Sequence, residues 1–155
     1  MTDWPDLAGR LEEGGHVLPV RVYYEDTDFT GIVYHGAYVR FFERGRTDFL
    51  RRVGIHHTEL AEGTHGAALA FAVRSMTLEF QKPARIDDVL LVRTRLSSLK
   101  GARVKLDQVI HRGADLLVSA TVTVAVITAQ GRPTRLPPVL AEKLAGHASG
   151  ETSVE

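Results

Sequence analysis

Glu25, Asp26 and Asp28 crowd a short stretch between a β-prone segment ending at Tyr24 and an amphipathic run beginning near His35. Asp28 stands just ahead of a helix start, where backbone N–H groups lack intrahelical acceptors and point at whatever lies before them. A carboxylate facing such donors is equipped for acyl transfer. It can attack a carbonyl carbon or activate water while the amides take the charge that builds on oxygen. The same residues have a plainer use. Acidic side chains ahead of a helix often do no more than close the turn through Asx hydrogen bonds. From residue types and spacing alone, both uses stand.

The elements that must hold these groups are legible in the spacing. Tyr38, Phe42, Gly45 and Phe49 fall at i, i+4, i+7 and i+11, one face of a helix, and Val39, Phe41, Leu50 and Val53 widen it. Arg40, Glu43, Arg44, Arg46, Asp48, Arg51 and Arg52 supply the charged remainder. The last two arginines suit the negative end of the macrodipole, and Gly54 is a natural stop. The spacing predicts a helix from about His35–Gly36 to Val53, roughly 27 Å long at 1.5 Å per residue. Such a stripe needs a broad sheet to cover it. Gly31 is the expected hinge of the turn before the helix.

Residues 17–24 read as an edge or near-edge strand, with Pro19 near its beginning. After a polar stretch at 55–66, four strand candidates follow without an intervening helix, at 68–80, 88–99, 102–112 and 116–128. Lys82-Pro83-Ala84, Lys100-Gly101 and Arg112-Gly113 separate them, and Lys100-Gly101 reads as a tight hairpin. In the last strand Val118, Ala120, Val122, Val124 and Val126 share the face expected to meet the helix. Ser119, Thr121, Thr123 and Ala125 share the other, small enough for close packing by a second subunit. One domain over 1–155 is expected, with its core at 17–137. Residues 1–15 form an extension, in which Leu7–Glu13 reads as a short helix stopped by Gly14-Gly15 and Trp4 docks on the surface. A short helix is expected at 138–146 and a disordered tail at 147–155. Strand, long helix, then four antiparallel strands is α+β rather than alternating βαβ. It predicts one sheet of about five strands around one helix, with exposed edges that pairing between subunits would cover.

Composition narrows the function. Nineteen basic and nineteen acidic residues cancel, leaving no global field for nucleic acid or an anionic membrane. A local basic patch for a phosphorylated ligand fits within that balance. The absence of cysteine removes disulfides, thiolate catalysis and cysteine-ligated zinc. The opening Met-Thr-Asp-Trp-Pro lacks the basic flank and apolar core of a signal peptide. No apolar run approaches the roughly 18 residues of a membrane span. A cytoplasmic protein with no membrane insertion is the expectation.

Two motifs mislead. Asp26-Thr27-Asp28-Phe29-Thr30 fits the DxDxT pattern of haloacid-dehalogenase-like phosphatases, and Asp87-Asp88 mimics their acidic pair. That fold needs a parallel sheet with alternating helices, which four consecutive strands exclude. The same residues start like a calcium loop with Gly31 at its sixth position, but Ala37 stands where a bidentate glutamate is required. The seven histidines show no HExxH spacing, so no metal site is expected.

The run Tyr23-Tyr24-Glu25-Asp26-Thr27-Asp28, with Gly31, Val33-Tyr34-His35, Tyr38, Glu43 and Arg46, resembles the YbgC-like acyl-CoA thioesterases. These belong to the 4-hydroxybenzoyl-CoA thioesterase group of hotdog-fold proteins. The likeness continues through Arg74-Ser75-Met76-Thr77, Pro83-Ala84-Arg85 and Asp87-Asp88 to about Pro137. It implies a hotdog fold and hydrolysis of short- to medium-chain acyl-CoA, or of an acyl-carrier thioester, to the free acid. It implies Asp28 as catalytic carboxylate, acting as nucleophile or general base, with Tyr24 and His35 at other functional positions. It places coenzyme A phosphates near Lys100 and Arg103; Lys82 and Arg85 border another turn and offer further cations. The helix-start amides of His35 and Gly36 would polarise the thioester carbonyl. Glu43 reads as structural, paired with Arg46 or Arg74. No metal or redox cofactor is implied, since coenzyme A enters as part of the substrate. A homodimer or homotetramer and an association with the Tol–Pal envelope machinery are implied too. The competing reading is a non-catalytic module that binds an acyl thioester or a partner.

Overall fold

In the computed structural model, which describes residues 6–148, the period-two patterns of the C-terminal half become one sheet. Leu90, Val92 and Leu96 of strand β4 (Val89–Lys100) are buried. So are Val104, Leu106 and Ile110 of β5 (Arg103–Arg112) and the five-residue valine face of β6 (Asp115–Thr128). Strand β1 is Arg10–Glu12, β2 is Gly15–Arg21 and β3 is Leu69–Phe80. The sheet is antiparallel throughout in the order β1-β2-β4-β5-β6-β3. It has six strands where five were expected. The Lys100-Gly101 turn is a two-residue hairpin, with Lys100 opposite Arg103 and Gly101 at φ 58°. A left-handed residue there matches the twist of the flanking strands.

The sixth strand replaces the short helix expected at Leu7–Glu13. The chain there runs close against the body at two glycines. A Cβ on Gly9 would lie 1.8 Å from Asp48 Oδ2, and one on Gly15 would lie 2.3 Å from the Thr94 carbonyl. Extended and turned at Gly14, β1 instead pairs with the edge of β2. Trp4 lies outside the described residues. The polar stretch after the long helix contains a second short helix, α2 (His57–Glu62), ended by Gly63 in the left-handed region. Helix α3 covers Pro138–Ala145. Beyond it His147 still packs edge-on to Phe49 and Ala148 bridges to Leu96, so the body reaches past the start expected for the tail. Residues 149–155 lie outside the described residues.

Helix α1 (His35–Arg52) lies on the apolar face of the sheet, with Phe41, Phe42 and Phe49 fully buried. Each such ring contributes roughly 2–3 kcal/mol by burial. The contact is closest at Gly45, where a Cβ would stand 2.9 Å from Val92 Cγ1 and 3.2 Å from Gln108 Nε2. Under this crossing Gln108 donates to the Phe42 carbonyl (3.0 Å) and to Thr94 Oγ1 (2.8 Å), and accepts from Arg46 (3.0 Å). Arg46 was expected on the charged face, yet it is buried. Its place one turn after Phe42 and one before Phe49 sits within the apolar stripe, so spacing carried that signal. Val39 departs the other way and is 40 % exposed.

His16 in β2 is fully buried and sits 2.7 Å from Asp48 Oδ2, while its Nδ1 has no partner among the described residues. Burial pushes its pKa below the ordinary 6.5, against the opposing pull of Asp48. A histidine whose folded pKa is depressed contributes its full stability above the unfolded pKa and loses it as pH falls. Unfolding free energy should therefore drop on acidification below about pH 6.5, and drop less steeply in His16→Gln. Urea titrations at pH 7 and pH 5 read this, and equal losses in both proteins would contradict it.

Candidate active site

The acidic stretch folds as two nested turns. Tyr24–Asp26 makes a single 3-10 turn, and Asp26 Oδ2 accepts the Tyr23 amide at 2.9 Å. Asp26 is buried and carries Arg40 at 3.5 Å. Its role is to brace the loop. Asp28 begins the second turn: its amide donates to the Ile32 carbonyl (2.8 Å) and its carbonyl accepts from Gly31 (3.1 Å). Gly31 takes φ 86°, the conformation the hinge requires. The Asp28 carboxylate accepts the Thr30 hydroxyl at 2.5 Å and the Thr30 amide at 2.8 Å, both on Oδ1. The turn-closing use of Asp28 is thus real. The Thr30 hydroxyl, then its amide, hold the carboxyl below the usual carboxylate range, with His35 close enough to add to the effect. The group is partly exposed, and ionised at neutral pH.

Directly after this turn α1 starts without a cap. Tyr34 at the N-cap gives no side-chain bond, and no acidic residue lies in the first turn. The Tyr34 amide is taken by the Asp26 carbonyl (3.2 Å) and the Ala37 amide by the Tyr34 carbonyl (3.0 Å). Among the described residues the amides of His35 and Gly36 have no acceptor. They are two donors at the positive end of a long dipole, with nothing among the described residues to satisfy them. A Cβ on Gly36 would come within 2.9 Å of the Tyr34 ring, so a larger residue here would have to push that ring aside. That ring is itself held by Arg40, which donates to its hydroxyl at 2.6 Å.

Of the residues singled out from sequence, the fold brings Asp28, His35 and Gly36 to one place. The His35 ring packs edge-on to Phe80 at 4.7 Å and helps line a hollow of about 260 Å³ with Ile32, Tyr38, Lys82 and Pro83. Tyr24 is 81 % exposed and makes no bond to Asp28, so it neither fills the core nor holds the carboxylate. Lys82 and Arg85 lie at this end of the helix, Lys82 in the hollow and Arg85 bridged to Ile32. Lys100 and Arg103 do not. Strand β4 starts at Val89 opposite Arg21, close in sequence to the Tyr24 turn, and its twelve residues carry the hairpin roughly 36 Å away. Glu43 forms no ion pair among the described residues, although its charge reaches Arg46. Tyr38 was read as part of the apolar stripe and of the resembling motif, with no bonding role. Its hydroxyl accepts the Ala84 amide at 3.0 Å, pinning the 80–85 segment over the helix start. A second hollow, about 390 Å³, opens further along α1, where Arg46 and Leu50 face Phe71, Val73, Leu106 and Val124.

Comparison with known proteins identifies the family and the fold. Residues 22–144 match the model of the thioesterase-like superfamily. The acyl-CoA thioesterase YbgC of Haemophilus influenzae is 42% identical over 115 residues, which span 74% of this chain and 82% of that protein. The acyl-CoA thioester hydrolase YbgC of Escherichia coli is 40% identical over 121 residues, 77% of this chain and 87% of that one. Among solved structures, a probable thioesterase from Bartonella henselae superposes with a TM-score of 0.77 at 49% identity, covering 79% of this chain and 99% of that one. The single antiparallel sheet packed on one long helix is a hotdog fold, and the chain belongs to the thioesterase-like superfamily, within the YbgC family of acyl-CoA thioesterases.

Proposed function

We propose that this protein hydrolyses short- to medium-chain acyl-CoA thioesters in the cytoplasm, with Asp28 as the reacting carboxylate. The observation that carries the reading is an ionised Asp28 next to two amides, His35 and Gly36, that have no acceptor of their own. A thioester carbonyl seated on those amides would gain both donors as its oxygen becomes negative. Asp28 then either attacks the carbonyl carbon, giving an acyl-aspartyl anhydride that water cleaves, or takes a proton from the water that attacks. Either way the C–S bond breaks, water supplies the new C–O bond, and coenzyme A leaves as thiolate and is protonated. These steps draw on the carboxylate and the amides alone, without a metal or redox cofactor. Phosphates of the coenzyme A portion meet Lys82 and Arg85 at the same end of α1.

Among the described residues strand β3 is an edge, twelve residues long and unpaired on one side, with Val73 50 % and Phe80 46 % exposed. A long exposed apolar edge is covered in solution. Antiparallel pairing of β3 with a second copy about a two-fold axis near its middle sets the Phe80 end of one strand beside the Phe71 end of the other. The His35 amides of one protomer then open toward the larger hollow of its partner. Arg103 lies opposite Ala125, which lies opposite Ala72, so the same axis brings the partner subunit's Arg103 toward this end. The hairpin cations thus serve the neighbour's coenzyme A. The basic assembly is a homodimer, whether or not dimers pair further.

Asp28→Ala and Asp28→Asn should each lower kcat on butyryl-CoA by at least about a hundredfold while leaving thermal unfolding close to the parent's. Undiminished turnover in both removes the mechanism, and equilibrium binding of acyl-CoA without product release would favour a binding module. Sedimentation should give a mass of at least two chains. A stable, active monomer would refute the shared site.

A further inference from the structure

We propose that Thr30 is a positioning residue for Asp28: it holds one carboxylate oxygen through both its amide and its hydroxyl, leaving the other, Oδ2, as the oxygen that reacts. The inference rests on the reading of Asp28 as the reacting carboxylate. Both Thr30 donors converge on Oδ1, the hydroxyl at 2.5 Å and the amide at 2.8 Å. Both of these bonds fall on Oδ1, and the Ile32 amide lies near enough to the carboxyl to favour its charged form as a weaker third donor. The two oxygens are therefore inequivalent before any substrate arrives.

The turn itself does not need the hydroxyl. An Asx turn closes on the backbone N–H two residues on, which any residue except proline supplies. The Thr30 hydroxyl is surplus to that closure, and an ionised carboxylate can only accept, so the hydroxyl proton points at Oδ1. A carboxylate held by one donor still swings about its terminal torsion, which is broad and roughly two-fold. Two donors from one β-branched residue, itself restricted at χ1, remove that freedom. Attack or proton removal needs one oxygen near 3 Å from its target in a fixed direction, and fixing it beforehand lowers the barrier. The bond also favours the charged form, so Asp28 stays ionised at lower pH than an unrestrained aspartate, in line with the direction of its shift.

The test pairs Thr30→Val, which keeps the shape and the amide, with Thr30→Ser, which keeps the hydroxyl. Steady-state kinetics on butyryl-CoA are measured across pH, and the Asp28 carboxyl is titrated by 13C NMR without substrate. Thr30→Val should lower kcat roughly tenfold, the worth of one hydrogen bond to a charged group, with KM within about twofold of the parent. Its carboxyl titration and the acid limb of its rate profile should move to higher pH, because a donor that favoured the anion is gone. Thr30→Ser should retain the parent's values in both. Parental kcat and titration in Thr30→Val would overturn the proposal, as would a Thr30→Ser as impaired as Thr30→Val. Asp28→Asn run alongside separates the failures. If it keeps full turnover, the catalytic reading falls and takes Thr30 with it. If it is inactive while Thr30→Val is normal, only the positioning role falls.

Discussion

The helix start can present two unsatisfied amides because the chain before it is fastened elsewhere. The Ala84 carbonyl accepts the Val33 amide at 2.9 Å, the Asp26 carbonyl accepts the Tyr34 amide at 3.2 Å, and the Tyr38 hydroxyl accepts the Ala84 amide at 3.0 Å. These bonds join the acidic turn, the 80–85 segment and the first turn of α1 into one unit. Without them a capping side chain or a change of entry angle would satisfy His35 and Gly36 locally, as helices ordinarily do. His35 and Gly36 are both exposed, so water can meet these donors in the free protein, and on the proposed reading a thioester oxygen takes its place.

The depth of the helix in the sheet sets where that unit sits. Gly45 lets α1 approach Val92 and Gln108 closely, and Gln108 grips the Phe42 carbonyl from below. The rod is thus anchored two and a half turns from its N-terminus, and its first turn projects over the end of the sheet near Phe80. Burying Arg46 beneath the same crossing is expensive unless its donors are occupied. Gln108 occupies one of them, and the remainder of the guanidinium borders the larger hollow.

Most of this was legible in residue order. The spacing of Tyr38, Phe42, Gly45 and Phe49 gave α1 to within a residue, and the valine alternation of β6 gave the face that it covers. The identity of the acidic turn and its resemblance to a known family pointed to Asp28, His35 and Gly36, which the fold gathers. What escaped depended on contacts distant in sequence. Strand β1 pairs with β2 beside a Gly9 that lies against Asp48, a relation 39 positions long that no local propensity encodes. The hairpin cations lie a sheet's length from Asp28 in their own chain, a separation set by the β4–β5 register and not by the motif. Arg46 was misjudged because charge was weighed above position on the helix.

The account stands on a thioester carbonyl resting on the His35 and Gly36 amides with its carbon facing residue 28. A crystal structure of Asp28→Asn with a ketone analogue of butyryl-CoA, CH2 replacing sulfur, reads this directly. The carbonyl oxygen should lie about 3 Å from both amide nitrogens, with the acyl chain running toward the larger hollow of a second protomer. An analogue bound with its carbonyl away from those amides, or enclosed within a single protomer, would contradict it.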